Sequence, residues 1–319
     1  MDPTELAGFS GRSPERFVPE LMEGEFIAAQ HIGRYLWASS AASGHRVLDA
    51  GCGVAYGSTM LADAGARSVV GVDLAEDVLE TVRARVPPNV RLERADLRDL
   101  PFEDGSFDLV VCFEVIEHIT DQHEVVREFA RVLSPEGLLL TSTPNRAVSA
   151  ADNPHHLREL LPEELEGLLG EHFANVELFR QDAWYSSAIF NDTDFTSKGR
   201  SASDSWPARK IAARDLGTEE FTIAAGSDTA LPELGGSIVL TRDKTRDLVE
   251  RLAHHAELAR ERKEKLRETG AALKEARSER DRLAAALARS LERRVRRGVR
   301  HPVATLRSVR RRIRRRASQ

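Results

Sequence analysis

An apolar run that ends in an acid and passes straight into spaced glycines constrains this chain most: Val47-Leu48-Asp49-Ala50-Gly51-Cys52-Gly53-Val54-Ala55-Tyr56-Gly57. Glycine lets a backbone turn tightly and approach a ligand where a Cβ would clash. The pattern reads as a strand, a tight turn and the start of a helix, the opening unit of an α/β sheet. Its spacing is Asp-x-Gly-x-Gly and not Gly-x-Gly-x-x-Gly. A carboxylate at that strand end suits a cationic ligand group and would repel a pyrophosphate, which argues against a dinucleotide. The alternative is a tight turn with no ligand.

The following residues keep the same rhythm. Strands are expected at Arg46–Ala50, Ser68–Asp73, Val90–Arg94, Phe107–Phe113, Gly137–Ser142, Asn175–Gln181 and Ser237–Thr241. Helices are expected over Ser58–Ala64, Asp77–Arg85, Asp121–Leu133 and Pro162–His172. Short β-branched runs separated by amphipathic stretches predict a seven-stranded, mostly parallel sheet sandwiched by helices. That domain spans 45–242, behind an N-terminal segment, 1–44, whose helical lead-in Glu20–Ala42 is placed to cover the sheet's active edge. Residues 183–235 break the alternation, and a segment this long is expected to cap the pocket. Hydrophobic residues, at 41%, suffice for a core, and Cys52 and Cys112 both sit in apolar stretches. A disulfide framework is therefore not expected, and a reducing cytoplasm is the natural setting. Neither a signal pattern nor a run of about 20 apolar residues is seen.

From Asp243 glycine and proline nearly vanish, and Leu, Ala, Arg, Glu and Lys dominate. Leu248, Leu252, Leu266, Leu273, Leu283 and Leu287 keep a heptad, blemished by His255, Arg262, Thr269 and Arg280. A long helix over 243–292 that self-associates as a coiled coil is expected, giving a homo-oligomer; a lone solvated helix is the alternative. Residues 293–319 then hold twelve arginines and no acid, so a net charge of −5 conceals −17 on the preceding residues. Such a tail suits a polyanion or an anionic lipid surface. Its interleaved Val299, Val303, Leu306, Val309 and Ile313 favour lipid at the inner face of the membrane, and the lack of aromatic residues weakens a nucleic-acid partner. 

Three more acid-bearing motifs follow the glycine turn in register. Asp73 closes the next strand, about where a carboxylate accepts both hydroxyl hydrogens of a ribose. Asp96-Leu97 follow the third strand, and Asp104-Gly105-Ser106-Phe107-Asp108 lead into the fourth. Over roughly residues 45–180 this ordered series resembles the class I S-adenosylmethionine-dependent methyltransferases, type 11, which implies a Rossmann-like fold and S-adenosylmethionine as cofactor. The resemblance puts Asp49, Gly51 and Gly53 beside the methionine moiety, Asp73 on the ribose and Asp96 with Leu97 on the adenine. Phe113 and Glu114 would border the transferred methyl group. One departure is Ala55, where many members have a third glycine.

Methyl transfer from a sulfonium is a displacement in which the protein aligns the acceptor and often takes its proton. If a helix follows the fourth strand, Glu114, Glu117 and His118 share one face at i, i+3 and i+4. With His156 they could hold a divalent ion, Mg²⁺, Mn²⁺ or Zn²⁺; alternatively His118 or His155 serves as base without metal, or the group is structural. Glu-x-x-Glu-His followed by Ser142-Thr143-Pro144-Asn145 and His155-His156 is similar to ubiquinone-pathway O-methyltransferases and to 2′-O-methyltransferases of small RNAs, where it is associated with a divalent metal. Glu15-Arg16-Phe17-Val18-Pro19, His31-Ile32-Gly33-Arg34-Tyr35 and Asn153–Glu159 resemble bacterial polysaccharide-cluster methyltransferases. That likeness implies O-methylation of a sugar hydroxyl in a glycan or cell-surface polysaccharide precursor. Small-molecule O-methylation of a quinone precursor or secondary metabolite is the second reading, and a non-catalytic coiled-coil scaffold the third.

Overall fold

The computed structural model describes residues 17–19, 22, 26–149, 153–184, 210 and 212–240, and, further on, 263, 265, 269–270, 273–274, 276–287 and 289. The chain divides into two compact units, Met1–Lys244 and Thr245–Gln319.

The first unit is built on one seven-stranded sheet. Its strands are β1 (Arg46–Ala50), β2 (Ser68–Asp73), β3 (Val90–Arg94), β4 (Phe107–Phe113), β5 (Leu133–Pro144), β6 (Asn175–Gln181) and β7 (Phe221–Ser227). They lie in the order β3-β2-β1-β4-β5-β7-β6. Pairings from β3 across to β5 are parallel, while β7 runs antiparallel to both β5 and β6. The helices are α1 (Phe26–Ala38), α2 (Tyr56–Asp63), α3 (Glu76–Val82), α4 (Gln122–Val132) and α5 (Pro162–Gly170).

Alternation along the central strands decides where the helices go, because successive side chains leave a strand on opposite faces. Val47, Val69, Leu109 and Val111 pack with Trp37 of α1, Leu61 of α2 and Leu79 of α3. Leu48, Val70, Val110 and Cys112 point the other way, onto Val125 and Phe129 of α4 and Leu165 and Leu169 of α5. In α4 the buried Val125, Phe129 and Val132 recur at helical spacing, while Glu124 and Arg127 pair outside. Glu164 accepts the Leu161 N–H at 2.8 Å and Pro162 opens α5, which fixes where that helix begins.

The strand order reverses between β1's neighbours, β2 and β4, so a crevice opens at the carboxyl ends of the central strands. Gly51–Ala55 form its floor, and Ala55 adopts φ +58. A left-handed alanine is strained because its Cβ crowds a carbonyl oxygen. The departure noted in the sequence thus falls on a backbone geometry that glycine takes without penalty.

One expectation of the fold is corrected. The last strand is not Ser237–Thr241 but Phe221–Ser227, inside the segment expected to cap the pocket. Its Thr222, Ile223, Ala224, Ala225 and Gly226 are buried between two neighbouring strands, a setting that accepts small residues and needs no β-branched run. Residues 237–240 carry no regular structure; Val239 lies near Gly33 of α1, and Trp37 donates its indole N–H to the Gly235 carbonyl at 2.7 Å. Thr241, the other cap residues 185–209 and 211, and the start of the lead-in at residues 20–21 and 23–25 lie outside the described residues. Of the expected coiled coil, residues 276–287 are helical and exposed, and most of the rest, like the basic tail 293–319, falls outside the described residues. Cys52 and Cys112 are both buried in the core.

Replacing Ala55 by glycine is expected to raise thermal stability by about 0.5–1 kcal/mol, since relief of left-handed strain outweighs glycine's added entropy in the unfolded chain. A melting curve checks it: a lower Tm would show that the methyl group's packing matters more than the strain.

Candidate functional site

Asp49, one residue before the end of β1, is fully buried, and both its carboxylate oxygens are occupied by protein. Tyr35 of α1 donates its hydroxyl to Oδ1 at 2.8 Å, and Ser58 of α2 donates to Oδ2 at 2.5 Å. Burial pushes the Asp49 carboxyl up to about 6, while the two hydroxyl donors oppose the shift. Above it Gly51 (φ +82) leaves the turn clear, for a Cβ there would lie 2.3 Å from Val115 Cγ2. Gly57 is required for another reason: a Cβ would meet the Tyr35 ring at 2.1 Å, so α1 and α2 touch backbone to ring. Tyr35 also stands edge-on to Tyr56 and Phe113, and Phe17 stacks on His31 at 4.4 Å. An aromatic wall therefore flanks the glycine turn.

Asp73 sits at the end of β2 with its carboxylate held from two sides: Oδ2 accepts the Gly53 N–H and Oδ1 the Ala75 N–H, each at 3.0 Å. Asp96 follows β3, and Arg98 holds its carboxylate through Nε at 3.0 Å and Nη2 at 2.7 Å, keeping it below the usual carboxylate range. Leu97 is buried in the core beside it. All the residues matched to the cofactor motifs thus lie along the carboxyl ends of β1, β2, β3 and β4.

Sequence reasoning missed the most unusual charge in the site. Arg34, on α1, is 1% exposed. Its Nη1 donates to Gln181 Oε1 at 2.6 Å, its guanidinium lies 4.8 Å from the Phe221 ring centre, and Glu114 Oε1 stands 3.8 Å away. Nε and Nη2 have no hydrogen-bond partner among the described residues. A buried cation with unanswered donors is costly, and a planar guanidinium answers a carboxylate best with two parallel bonds. The available signal was that Arg34 is the one Lys, Arg, Asp or Glu in α1, read as part of a family likeness and not as a site.

Glu114, Glu117 and His118 do not share a helical face as expected. After β4 the chain makes a short 3-10 turn, Ile116–His118, and Glu114 precedes it at φ +57. That backbone turns Glu114 toward Ser142, whose hydroxyl donates to Oε1 at 2.7 Å, and toward Arg34. The group that does converge is Glu117, His118 and His156, whose ligand atoms lie within 4.8 Å of one another. Glu117 is 1% exposed with Oε2 unpartnered among the described residues, and burial followed by the Glu114 charge holds its carboxyl well above the usual range. His118 Nδ1 lies 3.0 Å from the His155 carbonyl oxygen and His156 Nδ1 lies 2.5 Å from Glu159 Oε1. The His155 side chain is exposed, and its carbonyl is what reaches this group. An orphaned buried carboxylate oxygen facing two imidazoles fits a divalent cation, and the nitrogen-rich set suits Zn²⁺ or Mn²⁺ better than Mg²⁺.

Residues 48–141 match a family model described as a methyltransferase domain. A probable S-adenosylmethionine-dependent methyltransferase of Mycolicibacterium smegmatis is 42% identical over 160 residues, 49% of this chain and 62% of that protein. A probable S-adenosylmethionine-dependent methyltransferase of Mycobacterium tuberculosis is 42% identical over 160 residues, 49% of this chain and 58% of that protein. A ubiquinone biosynthesis O-methyltransferase of Albidiferax ferrireducens is 33% identical over 174 residues, covering 50% of this chain and 68% of that protein. The chain spans about three fifths of the length of the first two of these curated relatives. The sheet, the glycine turn and these relatives together define a nucleotide-cofactor transferase. The chain belongs to the class I S-adenosylmethionine-dependent methyltransferases.

Replacing Arg34 by methionine is expected to weaken S-adenosylhomocysteine, which carries a carboxylate, by at least tenfold while leaving methylthioadenosine, which lacks one, within about twofold. Calorimetric titration of both ligands checks it. Equal loss for both would make Arg34 a packing residue.

Proposed function

We propose that this chain transfers the methyl group of S-adenosylmethionine to a hydroxyl oxygen, most readily a sugar hydroxyl of a glycan or cell-surface polysaccharide precursor. The observation that carries the oxygen acceptor is the convergence of Glu117, His118 and His156 just beyond β4, next to Phe113 and Glu114. An amine or thiol acceptor needs no such group, whereas a hydroxyl must lose its proton as it attacks.

The cofactor half of the site follows from the geometry already given. Asp73, pre-set by two backbone N–H groups, takes the ribose hydroxyls, and the Asp96–Leu97 corner takes the adenine. Arg34 receives the methionine carboxylate. Asp49, with both oxygens engaged by Tyr35 and Ser58, acts by fixing α1 and α2 beside the Gly51–Gly53 turn, and the bare turn leaves room for the methionine chain. Glu114 and Phe113 border the sulfonium, where a carboxylate offsets positive charge.

In the reaction the acceptor oxygen bonds to the methyl carbon as the carbon–sulfur bond breaks, giving S-adenosylhomocysteine and a proton. Glu117, His118 and His156 would hold a divalent cation, which would supply charge that lowers the acceptor's pKa. By holding that ion Glu117 and the two imidazoles would orient the hydroxyl, and the proton passes to water at the mouth.

The lead-in and the Asn153–Glu159 loop, with their likeness to polysaccharide-cluster methyltransferases, support the sugar. The ubiquinone-pathway relative favours a second reading, a phenolic hydroxyl of a quinone precursor. Purified protein with methyl-labelled S-adenosylmethionine and fractionated extract separates them: label in the glycan fraction supports the first reading, and label in the small-molecule fraction replaces it with the second. Label in neither, with cofactor still bound, would refute both. His156→Ala is expected to lower turnover about 10²-fold without changing cofactor affinity, as is treatment with a chelator.

The second unit extends the proposal. Among the described residues no helix is long and apolar enough to cross a membrane. Its heptads support self-association of the chain, and the acid-free tail supports recruitment to an anionic membrane face in the cytoplasm. Full-length protein is expected to sediment with phosphatidylglycerol vesicles and not with phosphatidylcholine, and Val299→Asp with Leu306→Asp should release it. Unchanged retention in the double variant would point to a purely electrostatic partner such as nucleic acid.

A further inference from the structure

The proposed cation site is split between two segments of chain. Glu117 and His118 come from the turn after β4, and His156 comes from the loop after β5. Backbone bonds already bring the two together: Leu157 and Arg158 both donate their N–H to the Glu117 carbonyl, at 2.8 and 3.1 Å. Gln122 then bridges the same segments, its side-chain amide reaching the Ile116 carbonyl at 2.9 Å and the Arg158 carbonyl at 2.8 Å. None of these bonds orients the His156 ring.

Glu159 does. Its Oε1 lies 2.5 Å from His156 Nδ1 and also accepts the Ser149 hydroxyl at 2.7 Å. Its main-chain carbonyl accepts from Arg146 Nη1 at 3.3 Å, so the residue is anchored at both ends. A carboxylate only accepts, so Nδ1 must carry the proton and Nε2 keeps the lone pair. A carboxylate behind an imidazole also raises its basicity as a ligand.

We infer that Glu159 is a positioning residue that fixes the tautomer of His156 for cation binding, and that the bound cation fastens the Asn153–Glu159 loop to the turn after β4. The inference rests on the cation reading above. It adds a residue that holds no cation itself, and it makes the acceptor-side loop a responder to metal. The loop exposes Leu157 and Arg158, so the surface an acceptor meets is steadied by the ion that activates it.

Calorimetric titration of Mn²⁺ into full-length protein, with S-adenosylhomocysteine present, tests this. Glu159→Ala is expected to lose about 10–100-fold in Mn²⁺ affinity, and Glu159→Gln less, because it keeps an acceptor and loses only charge. Neither should change the affinity for S-adenosylhomocysteine. In hydrogen exchange, Mn²⁺ should slow the amides of residues 153–160 in the native protein and not in His156→Ala. If Glu159→Ala binds Mn²⁺ within twofold of the native protein while His156→Ala does not bind, Glu159 has no positioning role. Native protein that binds no Mn²⁺ would instead remove the cation reading and this inference with it.

Discussion

A single buried carboxylate ties the first unit together. Asp49 lies one residue before the end of β1, and its two oxygens are shared between a tyrosine of the preceding helix and a serine of the following one. Removing either hydroxyl would strand a lone pair in a dry environment, at a cost of about 1–3 kcal/mol. The lead-in helix is therefore part of the domain and not an appendage to it. Through Tyr35 it is also placed to put Arg34 one residue away, over the far half of the sheet. The glycine turn beside Asp49 is held separately, by the Val72 carbonyl, which accepts from Gly51 and Cys52, and by Asp73, which accepts from Gly53.

Much of this was legible in the chain. Five strands lie at their expected bounds, because alternating or continuous β-branched runs such as Val69-Val70-Gly71-Val72 leave few other options. The cofactor motifs were legible for a related reason: a glycine turn and an acid at each strand end are local requirements, written in consecutive residues. What escaped is non-local. Phe221–Ser227 becomes a strand because β5 and β6 leave a gap between them that small side chains fill. Nothing in Ala224-Ala225-Gly226 declares that gap. The helix expected after β4 failed because Glu114 takes a left-handed turn, a geometry that no propensity would favour for glutamate.

That strained glutamate separates two electrostatic jobs that the sequence had merged. With Glu114 turned to Ser142 and Arg34, its negative charge sits beside the positive helix residue. Glu117 is left to face the histidines. Backbone strain of this kind costs of order 1–3 kcal/mol and persists where surrounding contacts over-determine it. Here Ser142 on β5 supplies one such contact. Two carboxylates three residues apart thereby serve different neighbours, which fixed helical spacing would not permit.

The position of β7 has a consequence for how the chain assembles. β6 is synthesised before β7, yet within the sheet it touches only β7. Until residue 227 has left the ribosome, β6 has no neighbour to pair with, while β1 to β5 can already form a parallel sheet. The half of the sheet that carries the glycine turn can therefore be complete while the other half is still an open edge along β5. Inserting the last strand closes that edge, so the folding intermediate of greatest aggregation risk is one that already holds its cofactor floor.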